Sequence, residues 1–239
     1  MTPWVLVCTL AVSLLVPLRA GAQERDLSGV WLVKEPGATF SRTPPPEMTA
    51  WARSRFLANK ATIGPTASVD ANDPTVACFP PGVPYVLLVP VPFEFVQTAD
   101  RVLQLFEYNH NVRRIFTDGR AHPPDLQDTE SAQWMGHSTG RWEEDAFVID
   151  TVGFNDRSWL DRAGHPHSAA MRLTERIRRL DRDTLEYVVT VDDPQAYVAP
   201  WSGQMIFTRR AGWELLEHNC VPEGDEYARY KERAWGVGR

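Results

Sequence analysis

The feature that most constrains the fold is a succession of short segments rich in β-branched and aromatic residues, running from residue 85 almost to the end of the chain. Turn-forming residues separate these segments at intervals of about 8–12 residues, the spacing typical of an all-β sandwich or barrel. Long helical patterns do not alternate with them, which disfavours a parallel α/β fold. We therefore predict an antiparallel meander that closes into a barrel, with strands at 85–89, 93–98, 102–108, 112–117, 140–142, 146–154, 172–180, 184–192, 204–209 and 213–219.

The segment before these strands is rich in proline. Eleven of the 19 prolines lie between Pro36 and Pro92, and proline lacks the N–H that a strand ladder needs. Residues 36–92 are therefore expected to wrap around the barrel. Within them a helix is predicted near residues 46–60, because apolar residues recur there at spacings of three and four. This helix is expected to pack on the barrel as a lid or brace. A second short helix is predicted over 223–235.

The N-terminus has the pattern of a secretory signal peptide. An apolar run from Pro3 to Leu18 precedes Ala20-x-Ala22, a small-residue cleavage pattern. The run is shorter than the roughly 20 residues that span a bilayer. No Lys or Arg precedes the run, so only the α-amine supplies the positive end of a signal peptide. The alternative is an uncleaved anchor. Cleavage after Ala22 would leave one domain, residues 23–239, in the periplasm or secreted, with no membrane anchor.

Composition and cysteine content agree with an exported globular protein. The chain is 43% hydrophobic and 23% charged, and its net charge of −6 gives no reason to bind nucleic acid. Cys78 and Cys220 would remain after cleavage, and an even pair in an oxidising compartment predicts a disulfide. The nine tryptophans suit an aromatic or glycan-like ligand, or simply the core of a small barrel.

Two sequence patterns resemble known groups of proteins. A further strand is predicted near the start of the mature chain, and its Gly29-Val30-Trp31 resembles the G-x-W signature of lipocalins and related calycin barrels. That resemblance implies that Trp31 closes one barrel end beneath an arginine from a late strand, supplied by Arg209 or Arg210.

The second pattern is longer. Residues 136–151 are similar to the block G-x-S-x-G-R-W-E-G-D-T-L-V-V-D-T of a large group of secreted bacterial proteins, although Glu144 and Ala146 depart from it. Further similarity lies at 164–168, 173–176, 193–194 and 200–201. The resemblance implies export and a common fold, and it implies no activity.

Glu175 is the most informative carboxylate. It shares strand parity with Leu173 and Ile177, so an inward apolar face would bring Glu175 into the barrel interior. A buried carboxylate needs a partner. We predict that the partner is His137 or His167, because a Glu–His pair moves a proton near neutral pH. A pairing with arginine alone would make Glu175 structural.

Other polar residues are candidates for contacts inside the barrel. Arg113 and Arg114 are adjacent on one strand, so one of them points inward and either stabilises an anion or forms a structural ion pair. Glu107 shares parity with Leu103 and Leu105 and is expected to face inward with them. Further candidate ligand contacts are Tyr108, Asn155, Trp159 and His165.

Two motifs offer alternative chemistry. Residues 136–140 match the nucleophile elbow G-x-S-x-G, but a hairpin follows where the elbow needs a helix, so a simple turn is favoured. The H-x-H at 165–167 resembles the metal sites of cupin-like barrels. No cofactor is expected; the alternative is a divalent metal bound by His137, His165, His167 and Glu175.

Together these features predict an exported small-molecule enzyme that works by acid–base chemistry in a barrel cavity, as a lyase, isomerase or hydrolase. His137 or His167 would be the general base or acid, Glu175 its partner, and Arg113 or Arg114 the anion stabiliser. The alternatives are a periplasmic lipocalin-like binding protein for an aromatic or glycan-like ligand, and an envelope-interaction protein. The expected partner is a small molecule.

Overall fold

The computed structural model describes residues 25–64, 67–126 and 132–221. Within them, nine strands follow one another around a closed barrel, and the last strand pairs with the first. The predicted signal peptide (1–22) and the predicted helix at 223–235 lie outside the described residues. The strands are β1 Gly29–Val33, β2 Phe93–Gln97, β3 Arg101–Phe106, β4 Val112–Phe116, β5 His137–Glu143, β6 Ala146–Val152, β7 Arg172–Asp181, β8 Thr184–Asp192 and β9 Trp201–Arg209.

The predicted all-β barrel is confirmed, with one difference in its topology. All neighbouring strands are antiparallel except β4 and β5, which are parallel. Strand directions cannot alternate all the way around a closed ring with an odd number of strands. A nine-stranded barrel therefore requires at least one parallel pair. The connection at 117–136 makes the crossover that a parallel pair needs.

The predicted strand at 85–89 is wrong. Tyr85–Leu88 forms a 3-10 helix, with a hydrogen bond of 3.0 Å from the Leu87 N–H to the Pro84 carbonyl. A short apolar run is compatible with a buried strand or a buried helix, and periodicity does not separate the two. Here the local hydrogen bonds of the helix replace those of a ladder.

The predicted strand at 213–219 is also wrong. This segment is irregular and touches the end of the β3–β4 hairpin at one isolated bridge, between Tyr108 and His218. The Asn109 N–H donates to the His218 carbonyl at 3.0 Å. The barrel is already closed by β9 and β1, so no barrel edge remains for another strand to join.

The proline-rich segment packs around the barrel and contains one α-helix. This helix, α1, spans Ala50–Ala58, a shorter range than the predicted 46–60. Its N-cap is Thr49, whose hydroxyl accepts from the Ala52 N–H and donates to the Gln195 carbonyl. The cap thus fixes the start of α1 to the β8–β9 connection. Among the described residues, no helix is long and apolar enough to cross a membrane.

Trp31 is fully buried, and an arginine lies over its ring as the G-x-W pattern implies. The arginine is Arg179 of β7, 5.9 Å from the ring centroid, and not Arg209 or Arg210. The reason is that Arg179 is fixed at this barrel end by hydrogen bonds to backbone carbonyls. The acceptors are those of Asp26, Asp181 and Arg182.

The predicted disulfide is present. Cys78 and Cys220 are bonded across a sequence separation of 142 residues, with their Cα atoms 5.6 Å apart. Cys78 directly follows the 3-10 helix Pro74–Ala77 in the N-terminal wrap. The bond therefore ties the wrap to the segment that follows the last barrel strand.

Replacing both cysteines, as in Cys78→Ser/Cys220→Ser, is expected to lower the free energy of unfolding by up to about 5 kcal/mol, because the crosslink restricts the unfolded chain. Urea unfolding of the oxidised wild type and of the double variant measures the difference. Under dithiothreitol the two curves should coincide. Equal stability of both proteins under oxidising conditions would contradict the crosslink.

Candidate active site

The barrel interior holds a buried ion pair among apolar side chains. Arg113 points inward from β4 and is 1% exposed, and Glu175 points inward from β7 and is fully buried. The guanidinium donates to both carboxylate oxygens, one bond being Nη1 to Oε1 at 2.9 Å. The Tyr187 hydroxyl donates to Oε1 at 2.7 Å. Glu175 thus faces inward as predicted, but the prediction of a histidine partner is wrong.

The remaining Arg113 donors reach three more inward side chains. Burial alone would lower the pKa of Arg113, but the charge of Glu175 outweighs it and raises that pKa. Burial, and then the Glu175 charge, raise the pKa of Tyr187 well above its usual value. Neither group titrates near neutral pH, so the network holds charge and does not transfer protons. The other acceptors are Gln104, Ser138 and Thr151.

The serine of the G-x-S-x-G motif belongs to this network. Ser138 is fully buried, its hydroxyl lies 3.0 Å from that of Thr151, and Arg113 donates to it. Its strand pairs with β6 in a hairpin, where an elbow would need a helix. The position of Ser138 therefore agrees with the favoured interpretation of the motif as a turn leading into a strand.

A pair of side chains suited to proton transfer lies in the loop at 153–171, between β6 and β7. His167 Nδ1 is 3.2 Å from the Ser168 carbonyl oxygen. A carbonyl only accepts hydrogen bonds, so Nδ1 carries the proton and Nε2 of the neutral ring is an acceptor. The Ser158 hydroxyl is 2.9 Å from Nε2 and donates to it. This is the nucleophile–base geometry of acyl-transfer enzymes.

The carbonyl that orients His167 is itself held in place by Asp193. The Asp193 carboxylate accepts from the Ser168 N–H at 2.6 Å and from the Ser168 hydroxyl at 2.7 Å. Burial lowers the pKa of His167, although the Ser168 bond and the Asp193 charge partly oppose that effect. His167 is therefore a neutral imidazole at pH 7 and is able to accept a proton.

Ser158 and His167 line a small cavity of about 230 Å³ next to helix α1. Ser158 is 5% exposed and His167 is 1% exposed, so the pair is shielded from bulk water. Gly82 approaches Ser158 from the wrap at a φ of +71°, and a Cβ there would lie 2.9 Å from the Ser158 Oγ. The other lining residues are Arg55, Ala58, Asn59, Asp156, Arg157, Trp159 and Pro166.

A larger cavity, of about 990 Å³, lies between the wrap residues 34–43 and strands β8 and β9. Its ionisable lining residues are Lys34, Glu35 and Arg42, and Arg42 is paired with Glu35 at 2.9 Å. This lining contains no histidine or cysteine. It therefore offers no serine–histidine pair, and the smaller cavity is the better candidate for chemistry.

The predicted catalytic residues do not meet at one place. His137 starts β5 on its outer face, with its Nδ1 2.8 Å from Nδ1 of His122. Arg114 is exposed, whereas its neighbour Arg113 points inward, so one of the two faces the interior as predicted. His137 and Arg114 face outward because side chains alternate along a strand, and their neighbours Ser138 and Arg113 take the inward positions. Of the predicted catalytic residues, His167 alone lines the small cavity.

The alternative metal site is not assembled either. Glu175 is sealed inside the barrel by Arg113 and Tyr187, and His137 lies on the outside. His165 instead bonds to Asp161, with Nδ1 2.7 Å from Oδ2. Across residues 25–64, 67–126 and 132–221, no group of three or more His, Cys, Asp or Glu side chains is arranged to hold a metal ion.

The predicted ligand contacts are likewise divided. Trp159 lines the small cavity, whereas the Asn155 side chain accepts from the Arg157 N–H at 3.1 Å. The inward face of β3 carries Gln104, so the parity assumed for Glu107 is wrong. Glu107 instead accepts from the Leu216 N–H at 2.8 Å. Tyr108 is bridged to the same irregular segment, and His165 is bonded to Asp161.

Sequence reasoning missed Ser158, Arg55 and His122. Ser158 has no local motif, and its only signal is that it stands nine residues before His167 in a polar loop. Arg55 belongs to a helix predicted only as a brace. His122 bridges His137 and Asp150 on the outer barrel face, at 2.8 and 3.2 Å. Burial, with the nearby charges of His122 and Arg120, lowers the pKa of His137.

Comparison with known proteins adds no assignment. The chain matches no protein-family model and has no significant match among curated proteins or solved structures. The two resemblances noted in the sequence therefore stay predictions. Any proposal about function has to rest on the geometry of the site.

The substitution Glu175→Gln is expected to lower the free energy of unfolding by about 3–5 kcal/mol, because it leaves Arg113 buried without a counter-charge. The double variant Arg113→Met/Glu175→Leu removes both charges and is expected to lose less. Chemical denaturation of the three proteins measures this difference. An unchanged unfolding midpoint for Glu175→Gln would show that the pair does not stabilise the barrel.

Proposed function

We propose that the protein is an exported hydrolase of small esters or related acyl compounds, with Ser158 as nucleophile and His167 as general base. The observation that carries this proposal is the 2.9 Å contact between the Ser158 hydroxyl and His167 Nε2 at the wall of a cavity. The tautomer required of the base is the one that the Ser168 carbonyl selects. Among lyase, isomerase and hydrolase, a serine–histidine pair favours hydrolysis.

The proposed reaction begins when Ser158 Oγ attacks the acyl carbon of a bound substrate. The Oγ–C bond forms as the hydroxyl proton moves to His167 Nε2. The bond from carbon to the leaving oxygen then breaks, and His167 returns the proton to that oxygen. Water attacks the acyl-serine in the second half of the cycle and gives its proton to His167, which passes it to Ser158 as the acid leaves. These steps use only side chains and water.

Asp193 and Ser168 support the base from behind the imidazole. Asp193 holds Ser168, and Ser168 holds His167, so the imidazole is fixed in position and tautomer. A backbone carbonyl takes the place of the carboxylate that orients the base in a Ser-His-Asp triad. Asp193 is thus a positioning residue that acts through Ser168.

Export is supported by the N-terminal sequence pattern and by the disulfide between Cys78 and Cys220. Disulfides persist in oxidising compartments and are rare in the cytosol. A carrier that holds its ligand inside the barrel is less well supported, because Arg113, Glu175 and Tyr187 occupy the interior. The proposed reaction therefore takes place at the β6–β7 loop and not inside the barrel.

The substitution Ser158→Ala is expected to reduce hydrolysis of p-nitrophenyl butyrate about 10³-fold or more, since members of a nucleophile–base unit are not replaceable individually. A fluorophosphonate probe should label Ser158, as located by peptide mass spectrometry. Ser41→Ala, at a similarly buried serine of the wrap, is the matched control and should retain activity and labelling. Full activity of Ser158→Ala would refute the proposal.

The pH dependence tests the role of His167. Because burial lowers the pKa of His167 from 6.5, the acid limb of kcat/KM should have its midpoint below pH 6.5. The same shift means that protonation favours the unfolded chain, so this group lowers stability as the pH falls below 6.5. His167→Asn should remove both effects. An acid limb that persists unchanged in this variant would assign it to another group.

A further inference from the structure

We infer that the cavity beside Ser158 is built for acyl groups that carry a negative charge, and that Arg55 is the residue that recognises this charge. This inference rests on the proposed hydrolase function and adds its substrate class. It assigns helix α1 a role in specificity, where the sequence had indicated only a brace.

The first observation is the charge of the cavity lining. The ionisable residues that line it are Arg55, Arg157, Asp156 and His167. His167 is neutral, so two arginines face one carboxylate and the lining carries one excess positive charge. A concave site with an excess charge concentrates ligands of the opposite sign. An anionic substrate therefore suits this cavity better than a neutral or cationic one.

The second observation is the way Arg55 is held. Its guanidinium carbon lies 4.5 Å from the centroid of the Trp51 ring, on the same helix. Its Nη2 lies 3.1 Å from Asp156 Oδ2, and its side chain remains 45% exposed. The ring and the carboxylate orient the planar fork, and the exposed edge leaves donors for a ligand. A guanidinium fixed in this way matches the two oxygens of a carboxylate.

The third observation is that the pair of Arg55 and Asp156 is weak enough to exchange. Both side chains are close to half exposed, at 45% and 44%, and exposed ion pairs contribute little to stability. A substrate carboxylate can therefore replace Asp156 on Arg55 at low cost. The volume of about 230 Å³ suits a small acyl group. A short dicarboxylate half-ester meets both conditions.

Hydrolysis of two chromogenic esters tests the inference. p-Nitrophenyl hemisuccinate carries a charged acyl group, and p-nitrophenyl butyrate carries a neutral one with the same number of carbons. The wild type should favour the hemisuccinate in kcat/KM. Arg55→Gln should lose about tenfold or more on the hemisuccinate, mainly through KM, and should change by less than about twofold on the butyrate.

Two further variants provide matched controls. Asp156→Asn frees Arg55 from its ion pair, so it should lower KM for the hemisuccinate while Arg55→Gln raises it. Arg157→Gln removes the other cavity arginine, for which neither a ring contact nor an ion pair is found in the described residues. It should have the smaller effect. Circular dichroism and Tm should match the wild type for all three variants.

Binding of succinate separates the failure of this inference from the failure of the proposed function. Calorimetry with succinate alone should detect binding to the wild type and to Ser158→Ala, and none to Arg55→Gln. If neither ester is hydrolysed but this binding is seen, the hydrolase proposal fails and the anion site stands. If the esters are hydrolysed without a preference that depends on Arg55, or if succinate does not bind, the inference is overturned.

Discussion

The Arg113 guanidinium crosslinks the part of the barrel where neighbouring strands have the fewest paired residues. From β4 it donates to side chains on the strands to both sides. The parallel seam between β4 and β5 has two registered pairs, Ile115 with Ser138 and Phe116 with Thr139. The bond from Arg113 to Ser138 crosses that seam beside the first of these pairs. An odd-numbered barrel must contain such a seam, and here a buried charge reinforces it.

The burial of Arg113 bears on where a functional site can lie. A fully buried guanidinium requires a counter-charge and hydrogen-bond acceptors. Glu175 supplies the charge, and Tyr187 in turn donates to Glu175. These side chains therefore occupy part of the space inside the barrel. The candidate site lies where the chain leaves the barrel, and loops fixed to a rigid scaffold are a common location for binding and catalytic residues.

Most of the strands were predictable from the sequence, but the polar contacts between them were not. Alternation fixed the inward position of Glu175, and the adjacent pair Arg113-Arg114 required one inward arginine, as found. Their pairing was not predictable, because 62 residues separate Arg113 from Glu175 and both histidine and arginine satisfy a carboxylate. Glu107 failed because leucines lie on one face of its strand and a glutamine lies on the other. Val102 and Phe106 share the inward face with Gln104, so each face of β3 carries two apolar residues and alternation did not identify the inward one.

The candidate site was the least predictable part, for a different reason. Its members come from the wrap, the β6–β7 loop and the end of β8, and no periodic pattern relates irregular segments to one another. His167 was predicted from its residue type alone. Ser158 was not predicted, because the serine motif in the sequence, G-x-S-x-G, contains Ser138 instead. What brings these segments together is the barrel end itself. Asp193 directly follows β8, and its carboxylate holds Ser168 shortly before β7 begins. The antiparallel register of β7 and β8 therefore fixes the position of His167, and the hydrogen bond from Tyr187 to Glu175 links the same two strands inside the barrel.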